Sequence, residues 1–191
     1  DTCGFPKDNF YYYQAWWTSK PVLHVFPHWT WPGLEGQDIV VWVHSNMDRV
    51  ELLHNGQSLG AQDLPRDQHL AWTVKYTPGT LEARGYKGGQ LAMTARRETT
   101  GPAAKLVMTA DRAQLSADGE DVAICAVEVQ DAQGRVVPVT DNLVTFTVTG
   151  PGKVIGVGNG DPTSHEPDAG SARKAFSGRC MALVQATTSA G

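Results

Sequence analysis

The sequence predicts an all-β chain built as two consecutive immunoglobulin-like β-sandwich domains, with one short helix before them. Three observations carry this. Short runs rich in β-branched and aromatic residues recur, with turn signals roughly every 8–12 residues. No helical period is found beyond the first twenty residues. A polar break, Thr99-Thr100-Gly101-Pro102, divides the runs into two sets. The expected layout is a helical segment over 1–20, one sandwich over 21–100 and a second over 101–191.

The helix is expected within Phe5–Thr18. Pro6 suits a first helical position, and Asp8 falls in the first turn, where the helix dipole favours an anion. Six of the eight residues from Phe10 to Trp17 are aromatic. Phe10, Tyr13 and Trp17 recur at helical spacing and form an apolar face. So apolar a helix must pack against something large; little else in the chain looks ready to receive it, and the alternative is packing on the first sandwich.

In the first sandwich, Ile39–His44 is a near-continuous β run, and Val50–His54 follows it. Asn55-Gly56 then marks a tight hairpin, because both central residues need positive φ. Leu70–Tyr76 alternates with period two. Lys87-Gly88-Gly89 joins Thr80–Tyr86 to Gln90–Arg96. In the second sandwich, strands are expected at Leu106–Thr109, Asp121–Gln130, Val136–Val139, Leu143–Thr149, Lys153–Gly156 and Arg179–Thr187. The polar stretch from Gly158 to Ser177 is expected as a long loop. Thr188-Ser189-Ala190-Gly191 reads as a turn into a further strand. The second sandwich is therefore expected to lack its last strand and to leave an open sheet edge available for self-association. Asp1 is not a natural start, so the chain is expected to be a piece of a longer polypeptide.

Composition narrows the function. The chain has 191 residues, 41% hydrophobic and 19% charged, with a net charge of −4. No Lys/Arg cluster exceeds Arg96-Arg97, so nothing draws nucleic acid electrostatically. No apolar run approaches the roughly 20 residues that span a bilayer. The three cysteines, Cys3, Cys125 and Cys180, lack zinc spacing. Counting alternation puts Cys125 and Cys180 on core faces, where either an inter-sheet disulfide or two buried thiols would fit.

No catalytic set is evident. Glycosidases need two carboxylates about 5–10 Å apart, and the acids here lie in turns, beside basic residues, or, like Glu51 and Glu82, alternate along strands facing water. The six histidines show no metal-binding spacing. Gly156–Pro162 looks like a phosphate loop by eye but lacks its Lys-Ser/Thr, and a turn is the stronger reading. No cofactor is expected. Asn159 and Asp161 are secondary candidates for a cation, though without the spacing of a calcium loop. The most distinctive stretch is Phe26–Gly33. Trp29 and Trp31, with His28, could stack on sugar rings or could wedge into an interface. If the segment is extended, both indoles point the same way.

Long stretches carry a family resemblance. DTCGFPKDNFYYYQAWW and HVFPHWTWPGLEGQDIVVWVHSNMDRVELLHNGQSLG, then GTLEARGYKGG, ADGEDVAICAVEVQDAQGR and GPGKVIGVGNGDPTSHE, run in order along nearly the whole chain. The chain resembles the C-terminal portion of bacterial β-galactosidase-type enzymes of glycoside hydrolase family 2. The resemblance implies that residues 1–4 leave the last strand of a catalytic TIM barrel and that residues 6–18 form its last helix, packing on that barrel. It carries over no catalytic residue, since the family's two glutamates lie earlier. It places Phe5 near the barrel mouth, as a candidate for lining the substrate pocket. It implies a retaining β-glycosidase, periplasmic or extracellular by analogy, for which these domains are accessory. The alternatives are an independent carbohydrate-binding module using surface Trp residues and a purely structural pair of domains.

Overall fold

The computed structural model describes residues 1–189. Within them the chain forms one helix, α1 (Asp8–Trp17), and antiparallel strands that divide between two compact units. One unit comprises Pro6–Thr99. The other comprises Thr100 onward together with Asp1–Phe5. The architecture is all-β and immunoglobulin-like, as expected.

The first unit is a sandwich of three strands over four. One layer has the order β1 (Leu23–Phe26), β2 (Asp38–Ser45), β5 (Leu70–Lys75). The other has the order β4 (Gln57–Asp63), β3 (Arg49–His54), β6 (Thr80–Lys87), β7 (Gln90–Glu98). Alternation decides the faces: Leu70, Trp72 and Val74 on β5 point inward, as do Leu81 and Ala83 on β6. Asn55-Gly56 and Gly88-Gly89 all have positive φ and close the two hairpins. Fifteen buried residues make one continuous core, centred on Trp29, Val41, Val43, Leu52 and Tyr76.

The sandwich does receive one face of α1. Tyr11 stacks on His24 with ring centroids 3.8 Å apart, Tyr12 meets His44 edge-on, Ala15 is buried and Trp16 joins the core. The face that stays outward is Phe10, Tyr13 and Trp17, the last 77% exposed. Glu82 also departs from expectation. Its side chain is only 13% exposed, and its carboxylate sits 2.6 Å from Arg84 and 2.7 Å from Arg96, its register partner across the β6–β7 pair. Those two guanidiniums, Arg96 foremost, hold its pKa below the usual range.

The second unit places the order β11 (Gly152–Gly158), β13 (Arg179–Ala186), β9 (Val122–Gln130), β8 (Lys105–Ala110) against a two-strand layer, β10 (Leu143–Thr145) and β12 (Ala172–Lys174). Its last described strand, β13, is internal, and β11 and β8 form the two edges of the larger sheet among the described residues. The buried cluster is correspondingly small: Val127, Val144 and Cys180, with Phe146 against it. The expected turn at Thr188–Gly191 lies partly outside the described residues. Val136–Val139 forms a single bridge, Gln130 to Val136, instead of a strand. Pro138 has no N–H to give a ladder. The expected long loop contains β12, which sequence alone did not show.

A buried carboxylate anchors the start of this unit. Asp131 accepts N–H groups from Gly101 (2.9 Å), Gln133 (3.0 Å) and Arg135 (2.9 Å), and the Arg135 side chain at 2.8 Å. Burial opposes its charge, but the Arg135 and Gly101 donors outweigh that and hold the carboxyl far below the usual range.

Cys125 and Cys180 are not bridged; all three cysteines are free thiols. They lie on adjacent strands of one sheet, where Cys180 pairs with Val127 and Cys125 with Ala182. That diagonal offset separates Cα atoms by roughly 7–8 Å, beyond normal disulfide reach. Burial pushes the Cys180 thiol up to about 11, with Cys3 adding to the effect.

Candidate functional site

Trp29 and Trp31 do not form a shared surface. The segment after Phe26 turns instead of extending, and Leu34 N–H bonds to Trp31 O at 3.1 Å. Trp29 is fully buried. Its Nε1 donates to Thr77 O at 3.1 Å, and its ring meets His54 and Tyr76 edge-on. It is core, closed to any ligand. Trp31 is half-buried and spends one face on His28, with centroids 4.2 Å apart, while its Nε1 donates to His28 O at 2.9 Å. Burial lowers the pKa of His28, so the stack is neutral at physiological pH.

The second unit holds a different site, one that the sequence only hinted at. Asp1–Phe5 lies against the glycine run Gly156–Gly160 at the end of β11. Asp1 Oδ1 accepts the N–H groups of Cys3 and Phe5, each at 3.0 Å, and folds the segment into a tight turn with Phe5 half-buried. The glycines make room for it. A β-carbon on Gly158 would sit 2.7 Å from Cys3 Sγ, and one on Gly160 would collide with the Asp1 carboxylate. Gly160 also has φ +72°. The run is therefore glycine-rich because another segment passes over it, not because it cradles phosphate.

Between the segment and the run is a cleft of about 270 Å³, lined among others by Thr2, Asn159, Asp161, Asp168, Arg173 and Met181. Arg173, on β12, is buried. It donates to Glu166 O (2.9 Å), Asp168 Oδ1 (3.0 Å) and Asn159 Oδ1 (3.3 Å). Its Nε lies 3.8 Å from Glu166 Oε2 and makes no hydrogen bond. Asn159 is also buried; its Nδ2 donates to Lys174 O and its Oδ1 takes the Asp161 N–H. Asp161 Oδ1 takes the N–H and hydroxyl of Thr163. Asn159 and Asp161, the candidate cation pair, are thus linked by the Asp161 N–H to Asn159 Oδ1 bond. The Oδ1 of each is engaged locally, and the Arg173 guanidinium lies 3.3 Å from Asn159 Oδ1.

Gly160→Ala is expected to release the Asp1–Phe5 segment. The alanine would be strained by about 1 kcal/mol in a left-handed conformation and would displace Asp1 as well. Alkylation of Cys3 by iodoacetamide should then speed up by about tenfold, while buried Cys125 and Cys180 stay slow. Mass spectrometry of the labelled chain checks this, and an unchanged Cys3 rate would refute it.

The chain has relatives among known proteins. A family model described as glycoside hydrolase family 2 C-terminal domain 5 matches residues 106–191. A second, described as a domain of unknown function (DUF4982), matches residues 36–93. The β-galactosidase BoGH2A of Bacteroides ovatus is 44% identical over 187 residues, which is 97% of this chain and 22% of that protein. A putative β-glucuronidase of Formosa agariphila is 38% identical over 85% of this chain and 16% of its own length. Among solved structures, a β-glycosidase from Bacteroides vulgatus matches all of this chain and 25% of its own, with a TM-score of 0.94 at 34% identity. The chain thus spans about a quarter or less of these relatives. Identity along nearly the whole chain, together with the same fold, places the chain in glycoside hydrolase family 2, as a region from the C-terminal part of its enzymes.

Proposed function

We propose that this chain is the non-catalytic accessory region of a retaining family 2 β-glycosidase, of β-galactosidase type, and that α1 completes that enzyme's barrel. The observation that carries this is the division of α1 into two aromatic faces. Tyr11, Tyr12, Ala15 and Trp16 are used by the first sandwich. Phe10, Tyr13 and Trp17 stay exposed on the opposite side, an apolar stripe that is costly to leave in water. A helix sandwiched between a barrel and an accessory domain needs both faces. The β-galactosidase assignment rests on the nearer identity to BoGH2A, and a β-glucuronide is the competing substrate, given the names of the other relatives.

In the full-length protein, Trp17→Ser with Phe10→Ser is expected to remove about 2 kcal/mol or more of stability through lost apolar burial, with a matching fall in melting temperature and activity. In this chain alone the same pair should be near neutral. Chromogenic aryl β-galactoside should be turned over by the full-length protein and not by this chain. Equal stability loss in both contexts, or turnover by this chain, would overturn the reading.

A further inference from the structure

We infer that β8 is a dimerisation edge, on which a second copy of this chain adds its own β8 antiparallel and continues the sheet across a two-fold axis. An open sheet edge leaves a row of N–H and C=O groups unpaired, and proteins blunt such rows with short strands, bulges, charges or covering groups. The other edges here carry these devices. β1 has four residues, and β10 and β12 have three each. β4 is bulged opposite β3 and holds Gly60 at φ +98°. On β5, Ala71 O takes the Gln62 side-chain amide at 3.0 Å. β7 is bulged and ends in Arg96, Arg97 and Glu98. β11 is bulged between Val154 and Gly156, and Val157 N–H bonds to Asp168 O at 2.8 Å. β8 has none of them. It runs Lys-Leu-Val-Met-Thr-Ala in unbroken register with β9, and Lys105 at its start is its one charge.

The backbone decides which groups face out. On β9, Val129 N–H bonds away from β8, to Gly178 O at 2.8 Å, and Asp111 N–H, just past the end of β8, bonds to Ile124 O at 3.0 Å. Bonding direction alternates along an antiparallel strand. Lys105, Val107 and Thr109 therefore turn their N–H and C=O groups to β9, and Leu106, Met108 and Ala110 turn theirs outward. The same three residues stand opposite Val129, Val127 and Cys125, so their side chains lie on the core face. The thin β10–β12 layer stops short of them. Val127 and Val129 are 2% exposed, but Leu106 is 54% and Met108 63% exposed.

A second β8 satisfies all of this in one register. With Met108 on the two-fold axis, Met108 faces its own copy and Leu106 faces the partner's Ala110. Every outward N–H and C=O of the three residues then has a partner. Opposite side chains share a face, so Leu106, Met108 and their copies form one apolar row, while Val107 meets the partner's Thr109 on the other face. Lys105 falls opposite the partner's Asp111, an unlike charge. Asp111 keeps its own bonds to Ile124 N–H and Arg112, so Lys105 adds attraction and no new hydrogen bond. The pairing is independent of the glycosidase reading.

The test is sedimentation equilibrium of the 191-residue chain, kept reduced, from about 10 µM to 1 mM, the range of weak contacts. The apparent mass should rise toward twice that of the monomer. Amide exchange at Leu106, Met108 and Ala110 should slow in step, while Val107, already bonded to β9, does not change. Met108→Pro removes one outward N–H and no bond to β9, a position where an edge strand tolerates proline, and should weaken association by about tenfold or more. Met108→Lys sets like charges opposite each other at the axis. It should weaken association as much, and less as salt is raised. Its exposed side chain leaves the fold intact, which an unchanged melting temperature verifies, and Met108→Leu should associate as the wild type does. A mass that stays monomeric throughout that range overturns the inference, as does association that Met108→Lys leaves unchanged. Slow exchange at the three amides in a monomer, whether of this chain or of the full-length protein, would mean that another segment of the polypeptide covers β8, and overturns it too.

Discussion

Trp29→Ala should remove most of the stability of the first sandwich. The indole is fully buried, donates to Thr77 O, and meets both Tyr76 and His54 edge-on. Large-to-small substitution of a buried tryptophan costs about 3–5 kcal/mol, against a total of roughly 5–15 kcal/mol for a typical domain. The loss also removes the indole donor from Thr77 O, leaving it only the His54 Nε2 contact at 3.1 Å. For a unit of this size, each kcal/mol moves the melting temperature by about 4–8 °C. A fall of about 15 °C or more is therefore expected for the first unit, by calorimetry or by near-ultraviolet circular dichroism. Trp31→Ala should cost far less, because Trp31 is only half-buried and its ring rests on His28. The comparison also separates two roles for the aromatic stretch. A tryptophan used to stack on sugar would be dispensable for folding. An unchanged melting temperature in Trp29→Ala would contradict its place in the core.

That stretch shows where local reading works and where it fails. Hairpins at Asn55-Gly56 and Gly88-Gly89 were legible because positive φ selects residue type directly, with no help from the rest of the fold. The alternation of Leu70, Trp72 and Val74 was legible because one face of the strand is core and the other is water. Trp29 and Trp31 were not, because period-two reasoning assumes an extended strand and the segment turns. Arg173 was out of reach for a different reason. Its burial depends on Asp168, Glu166 and Asn159, whose positions follow from how the loop folds and not from any strand pattern. The glycines at 158 and 160 are the sharpest case. Their lack of side chains is imposed by Cys3 and Asp1, about 150 positions away in sequence, so a local scan could find the motif but not its cause.

Acid should destabilise the first sandwich between about pH 6.5 and pH 4, with His44 as the main cause. His44 is buried on β2 beneath α1, edge-on to Tyr12 and against Phe26. Burial foremost, then the nearby His24 and His69, lowers its pKa from 6.5 to about 4, and Asp8 opposes this only in part. Its Nδ1 has no hydrogen-bond partner, so protonation there would bury a charged donor with nothing to receive it. The sign follows from proton binding. Between these pH values the unfolded chain holds the His44 proton and the folded chain does not, so stability rises with pH and is lost as pH falls. A pKa held at about 4 in the folded chain corresponds to about 3 kcal/mol at most. Asp8 acts in the same direction lower down. His24 Nε2 lies 2.7 Å from Asp8 Oδ1, and that contact holds the carboxyl below its usual pKa, so its contribution disappears as pH falls below about 4. Denaturant unfolding at pH 7, 5.5 and 4.5 should show the loss. His44→Phe keeps an aromatic ring between Tyr12 and Phe26 but removes that titration, so its stability should fall much less steeply from pH 7 to 4.5, the remaining slope coming from His28, whose pKa burial also lowers. An equal pH slope in wild type and His44→Phe would assign the effect to another group. Asp131, the buried carboxylate of the second unit, is held far below the usual range and stays charged through this window, so that unit's unfolding should not follow that of the first. The two sandwiches should then separate into two transitions as the pH drops, the first unit melting earlier.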